Sequence, residues 1–152
     1  MRTIITILVM VLTNALYAQD TPSATNTSHL DIIHNFINDI ANSESRSDVI
    51  LNKHVWLSDS LDNDMYDYLE ASIEEIKLNL STKNIDEIQY ISFQQLPRKE
   101  TRDIDPEGKP TENMYFLKYK GRQMLAIYIV DNRIASFTLV SKGNRVAHFV
   151  TY

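Results

Sequence analysis

The chain has 152 residues, 43% of them hydrophobic, with 20 acidic and 15 basic side chains, a net charge of −5 and no cysteine. The excess of negative charge opposes phosphate backbones and anionic lipid surfaces, which sets nucleic acid aside as a partner. The missing thiols exclude disulfides and cysteine chemistry, and with three glycines in all there is neither a phosphate-cradling loop nor a Gly-x-Ser-x-Gly nucleophile elbow.

The N-terminus has one positive charge at Arg2, an apolar run from Ile4 to Leu12 and the small-residue stretch Ala15-Leu16-Tyr17-Ala18. These are the three parts of a secretory signal. The apolar run falls short of the roughly 20 residues that span a bilayer. Residues 1–18 are therefore expected to be a cleaved signal peptide, and the product to be periplasmic or secreted without stable membrane insertion. Dropping Arg2 from the 15 basic residues leaves 14 against 20 acidic ones, a net charge of about −6. A cysteine-free exported chain fits a bacterial periplasm or exterior. Residues 19–27, QDTPSATNT, hold no large apolar side chain to offset the entropy of ordering and read as a flexible leader. Residues 28–152 suffice for a single domain with one core.

Ser28 stands three residues before Asp31 as an N-cap. Leu30, Ile33, Ile37, Ile40 and Ala41 follow at spacings of three and four, with Phe36 beside them, which predicts a helix over 29–42. Ser47-Asp48 caps a second, short helix over 48–55 carrying Val49, Ile50 and Val55. Asp62, Asn63 and Asp64 open a third, over 62–81, where the helix dipole favours negative charge. Met65, Tyr68, Leu69, Ser72, Ile73, Ile76 and Leu80 form its apolar face.

From Ile85 the period falls to two and β-branched and aromatic residues dominate. Strands are expected over 86–95, 115–120, 124–130, 133–141 and 145–152, with turns at Gly121-Arg122, Asp131-Asn132 and Gly143-Asn144. The fold class is α+β, three N-terminal helices packed on a curved antiparallel sheet of about five strands. Leu125/Ile127/Ile129 and Ala135/Phe137/Leu139 each predict three apolar residues on one face, to be covered by the helices. Residues 97–113 hold three of the four prolines and no hydrophobic pattern, and read as a mobile flap or disordered tip.

His29 and His34 are five apart, on different faces of a helix, so the spacing opposes a metal pair. Asp103-Ile104-Asp105-Pro106-Glu107-Gly108 starts like a calcium loop, but its twelfth place is Met114 rather than a bidentate glutamate. Asp59, Asp62 and Asp64 are explained by helix capping. No metal, cofactor or catalytic set is assigned. The glycosylation triplets at Asn26 and Asn79 carry no weight outside a glycosylating host.

Three helices, the last long and amphipathic, followed by a terminal antiparallel meander, resembles the element order of the cone-shaped α+β superfamily of nuclear transport factor two, ketosteroid isomerase and cystatin-like domains. The resemblance covers about 28–152. It implies a curved sheet around the long helix, with a pocket at the open end. Trp56, Tyr68, Tyr90, Tyr115, Tyr119 and Tyr128 then lie on elements that line the cone and are the candidate ligand-binding residues. The function expected is an exported module that binds an apolar small ligand or a protein partner. A homodimer is expected through a sheet face bearing Met124, Tyr128 and Val130; a third reading is a purely structural or inhibitory partner protein whose contact is loop 97–113. The alternative is an isomerase- or dehydratase-like enzyme with its site in the cone. The family's interior aspartate base is not placed here residue by residue, because the aspartates fall mostly at helix starts and turns, at 48, 59, 62, 64, 103, 105 and 131. N-terminal sequencing of the exported protein should return Gln19 as the first residue; Met1 would reject the signal peptide.

Overall fold

The computed structural model of the chain describes residues 24–143 and 145–152, with side chains from residue 29 onward. The expected signal peptide, the first part of the leader (19–23) and Asn144 of the last turn lie outside the described residues.

The apolar spacing of the N-terminal third becomes three helices. Helix α1 (Ala24–Ala41) buries Ile33, Phe36, Ile37 and Ile40 completely. It begins five residues before the expected start and takes in the end of the expected leader. Once its apolar stripe is pinned, each added residue gains a backbone bond without a new nucleation cost. Helix α2 (Ser47–His54) turns Ile50 and Leu51 inward. Helix α3 (Asn63–Leu80) is capped by Asp62, whose carboxylate accepts the Met65 N–H at 2.7 Å, and it buries Leu69, Ile73 and Leu80. Lys77 of α3 donates to the carbonyls of Ser43 and Ser45, which closes the α1–α2 turn against the long helix.

Strand β1 (Gln89–Ser92) is shorter than the expected 86–95, with single 3₁₀ turns at 85–87 and 93–95 on either side. The Asn84 side chain accepts the Asp86 N–H, and the Gln95 side chain accepts that of Ser92, so local bonds take backbone groups that a longer ladder would have used. A short helix α4 (Arg98–Thr101) follows, then β2 (Met114–Tyr119), β3 (Arg122–Val130), β4 (Arg133–Ser136), β5 (Leu139–Ser141) and β6 (Ala147–Phe149). Strands β1-β2-β3-β4 form one antiparallel sheet in that order, and β5-β6 form a second. The turn after β2 is Lys120-Gly121, one residue earlier than expected. There and at Asp131-Asn132 both central residues have positive φ, which suits the twist of a two-residue hairpin.

The four-stranded sheet is buried on both faces. Tyr115, Leu117, Leu125, Ile127, Ile129 and Ile134 pack against the three helices. Met114, Phe116, Ala126, Tyr128 and Ala135 pack against Phe149 of β6, Leu96 and Ile104. Leu125, Ile127 and Ile129 share the helix side as expected. Ala135, Phe137 and Leu139 do not share a face. Phe137 joins the helix-side core, and the other two join the opposite one. Ladder pairing shifts at Ala135, where Tyr128 opposes Ser136 and Ile129 opposes Ile134, so alternation breaks there. A second bulge, opposite Leu117/Lys118, leaves Met124 out of register and turns it toward the helix-side core. Met124 therefore shares no face with Tyr128 and Val130, and Tyr128 is 5% exposed beneath Phe149. The sheet face expected to meet a second copy is occupied by the chain itself.

Residues 97–113 are no flap. Ile104 bridges to Ala147, with the Asp105 N–H on the Ala147 carbonyl at 2.8 Å and the Ala147 N–H on the Asp103 carbonyl at 2.9 Å. One apolar side chain, Ile104, seats this segment in the second core, too little to register as a pattern. Electrostatics holds the rest. Glu107 bonds Lys142, Lys109 (3.0 Å) and His148 (2.8 Å), while Asp105 meets Lys142 at 3.0 Å. These bonds, the one to Lys142 foremost, hold the Glu107 carboxyl down at about 2. The carboxylates that resembled a calcium loop are thus met by the protein's own cations. No helix among the described residues is long and apolar enough to cross a membrane.

Because folding depresses the Glu107 pKa from 4.5 to about 2, its contribution to stability is present in full above pH 4.5 and lost as pH falls through about 2. The protection of the Ile104 and Asp105 amides, measured against their intrinsic exchange rate at each pH, should fall across that interval. In Glu107→Gln exchange should be fast already at neutral pH; a variant as protected as the parent would show that the cluster does not hold the segment.

Candidate functional site

The six aromatic residues expected to line one cavity do not converge. Tyr115, on β2, is buried in the helix-side core, with its hydroxyl 3.1 Å from Nδ1 of His29 and the two rings edge to face. Burial pushes the tyrosine up and the histidine down. Tyr128 lies through the sheet on the opposite face, its ring 5.9 Å from that of Phe149. Tyr90 on β1 stacks on His34 at 4.1 Å, and burial, aided by the charge of Asp86, raises it to about 12. Tyr119 ends β2 between Lys83 and Lys120, whose ammonium groups stand 5.8 and 5.2 Å from its ring centre. Only Trp56 and Tyr68 are exposed, at 40% and 52%.

The other histidines have structural partners. One oxygen of Asp39 on α1 meets both His54 Nε2 and Lys53 Nζ at 2.6 Å, joining α1 to α2; those hydrogen bonds, Lys53 first, draw the Asp39 carboxyl below its ordinary value. His148 belongs to the Glu107 cluster. Among the described residues no group of three or more histidine, aspartate or glutamate side chains is placed to hold a metal ion.

What the fold does bring together lies along α3. Val55 bridges to Ile134, and the Trp56 N–H reaches the Ile134 carbonyl at 2.7 Å, so the outer edge of β4 fixes Trp56 at the surface. A hollow of about 440 Å³ opens beside it, lined by Trp56, Leu61, Met65 and Tyr152, with Ser58, Ser60, Asp62 and Thr151 at its polar margin. Met65 is 37% exposed there. A second hollow, about 250 Å³, lies further along α3 between Ser72, Glu75, Ile76 and Asn79, the Met124-Leu125 stretch of β3, and residues 137–139.

Tyr152 connects the two. Its side chain lines the first, while its hydroxyl accepts the Phe137 N–H at 3.1 Å and lies 2.5 Å from Thr138 Oγ1, both residues of the second. Burial pushes this phenol up, opposed by those hydrogen bonds. Tyr68, one turn beyond Met65, is near enough to act on it electrostatically. Sequence reasoning found Trp56, Tyr68 and the apolar side of Met65 but missed Tyr152, which nothing in its neighbours' pattern distinguishes. The signal lies in long-range bonds to Phe137 and Thr138.

Compared with models of known protein families, with curated proteins and with solved structures, the chain matches none.

Tyr152→Phe removes the acceptor for a buried N–H and should cost about 1–2 kcal/mol, read from urea unfolding followed by Trp56 emission. An unchanged midpoint would mean that the hydroxyl holds nothing at Phe137.

Proposed function

We propose that this chain is an exported binding module, whose hollow beside Trp56 takes a small apolar ligand or an apolar side chain of a protein partner. The observation that carries the reading is the grouping of the exposed Trp56 and Met65 around Tyr152, on a chain that buries most of its large apolar side chains. Grouped exposed apolar surface is costly to keep in water and marks contact sites more often than scattered residues do. The volume of about 440 Å³ falls in the range that holds small molecules, and the hydroxyls of Ser58, Ser60 and Thr151 supply the few polar groups that orient one. Tryptophan and tyrosine at its centre suit a protein partner's side chain equally.

Binding is favoured over isomerase chemistry by the placement of acid groups. Asp62 and Glu75, the acids at the two hollows, are exposed, and Asp62 is committed to capping α3. A carboxyl poised for proton abstraction is typically desolvated so that its pKa approaches neutrality. Membership of the cone-shaped superfamily is part of the same proposal, supported by the order of elements and by the long α3 packed against the sheet. Export is supported by the pattern of residues 1–18.

The neutral apolar probe N-phenyl-1-naphthylamine tests the site, since Trp56 is the only tryptophan and reports occupancy by its emission. Micromolar probe should quench it, and Met65→Asp should weaken binding at least tenfold without lowering the thermal midpoint. Equal binding by the parent and Met65→Asp would overturn the assignment.

A further inference from the structure

The hairpin of β3 and β4 comes apart halfway along. β4 pairs with β3 only between Tyr128 and Val130; the chain then turns away at Phe137 and Thr138 and pairs, as β5, with β6. Had it continued, residues 137–141 would have run back along β3 toward Arg122. Instead the departing segment finds side-chain acceptors. The Thr138 N–H goes to Ser136 Oγ, and the Phe137 N–H goes to Tyr152. From Arg122 to Ala126, β3 is therefore paired on its β2 side alone, and on the other side its backbone groups meet no backbone partner among the described residues.

This unpaired edge is open to solvent at Arg122 and Gln123, half-buried at Met124 and covered at Leu125 and Ala126, and it borders the 250 Å³ hollow. Leu125 and Phe137 form its walls, Ile76 of α3 contributes to its floor, and Glu75 stands at its margin with no ion-pair partner among the described residues. A row of backbone donors and acceptors next to an apolar hollow is the arrangement by which sheets capture extended peptides: main-chain bonds give affinity, and alternate side chains give specificity. A hollow of this size is small for a drug-like molecule but takes one apolar side chain.

We propose that the unpaired edge of β3 at Arg122–Met124 is a docking site for an extended segment of a protein partner, added there as a short strand. One apolar side chain of that segment enters the hollow over Ile76, and a lysine or arginine lies beside Glu75. This site is separate from the Trp56 hollow, so either assignment stands if the other fails.

The test uses the hexapeptide acetyl-FTLVSK-amide, the sequence of residues 137–142 supplied in trans, which has strand alternation and a basic end. Titrated into the full-length mature chain labelled with ¹⁵N, it should shift the amides of Arg122–Met124 and slow their exchange. The same peptide N-methylated at alternate residues, which cannot complete the ladder, should bind at least tenfold more weakly. Glu75→Lys should weaken the parent peptide about threefold, the size of an exposed ion pair. Unmoved Arg122–Met124 amides at millimolar peptide, equal binding by the methylated peptide, or shifts confined to the Trp56 hollow would each overturn the proposal.

Discussion

A sheet of β-branched and aromatic residues has two faces to remove from water, and in this protein the helices cover only one. That constraint shapes everything downstream of β2. The second face, with Phe116 and Tyr128 at its centre, is covered by the chain's own C-terminal hairpin and by the segment around Leu96 and Ile104. For Phe149 to reach it, the chain must leave the first sheet after Ser136, and β4 is short for that reason. Apolar burial at roughly 25 cal/mol per Å² outweighs the few ladder bonds given up, particularly when their donors find Ser136 and Tyr152 instead.

The two surface features follow from that departure. Residues 137–139 and β3 part above α3 and leave one hollow, and the last residues of the chain return beside Trp56 to form the other. Tyr152 serves both, lining one and holding Phe137 and Thr138 of the other through its hydroxyl. The charged clusters serve the same economy of covering. Glu107, bonded to Lys142, Lys109 and His148, fixes the segment that carries Ile104, and Asp39 with Lys53 and His54 fixes α2 against α1. Polar side chains thus hold down segments whose own apolar content is slight.

Much of the fold is legible in the sequence. The three helices follow from a repeat of three to four in Ile33, Ile37, Ile40 and again in Leu69, Ile73, Ile76, because a helix brings such positions onto one face whatever they pack against. The helix-side set Leu125, Ile127 and Ile129 was legible for the same reason at a period of two. The candidate site was only partly so. Trp56 and Tyr68 stood out by residue type, whereas Tyr90, Tyr115, Tyr119 and Tyr128 looked alike in sequence; the first three ended on the helix side of the sheet and Tyr128 on the opposite face.

What the sequence by itself determined is the local part: the α+β class, the three helices preceding the strands, the Asp131-Asn132 hairpin turn with its positive φ, and the charge balance. These depend on neighbours within a few positions along the chain. The tertiary structure alone decided where the strand over 133–141 breaks, which face Met124 takes past its bulge, that 97–113 is tied down, and that Tyr152 joins two hollows. Each of these is set by a partner far away in sequence, such as Ala147 for Ile104 and Tyr152 for Phe137, and a periodic pattern carries no record of such partners.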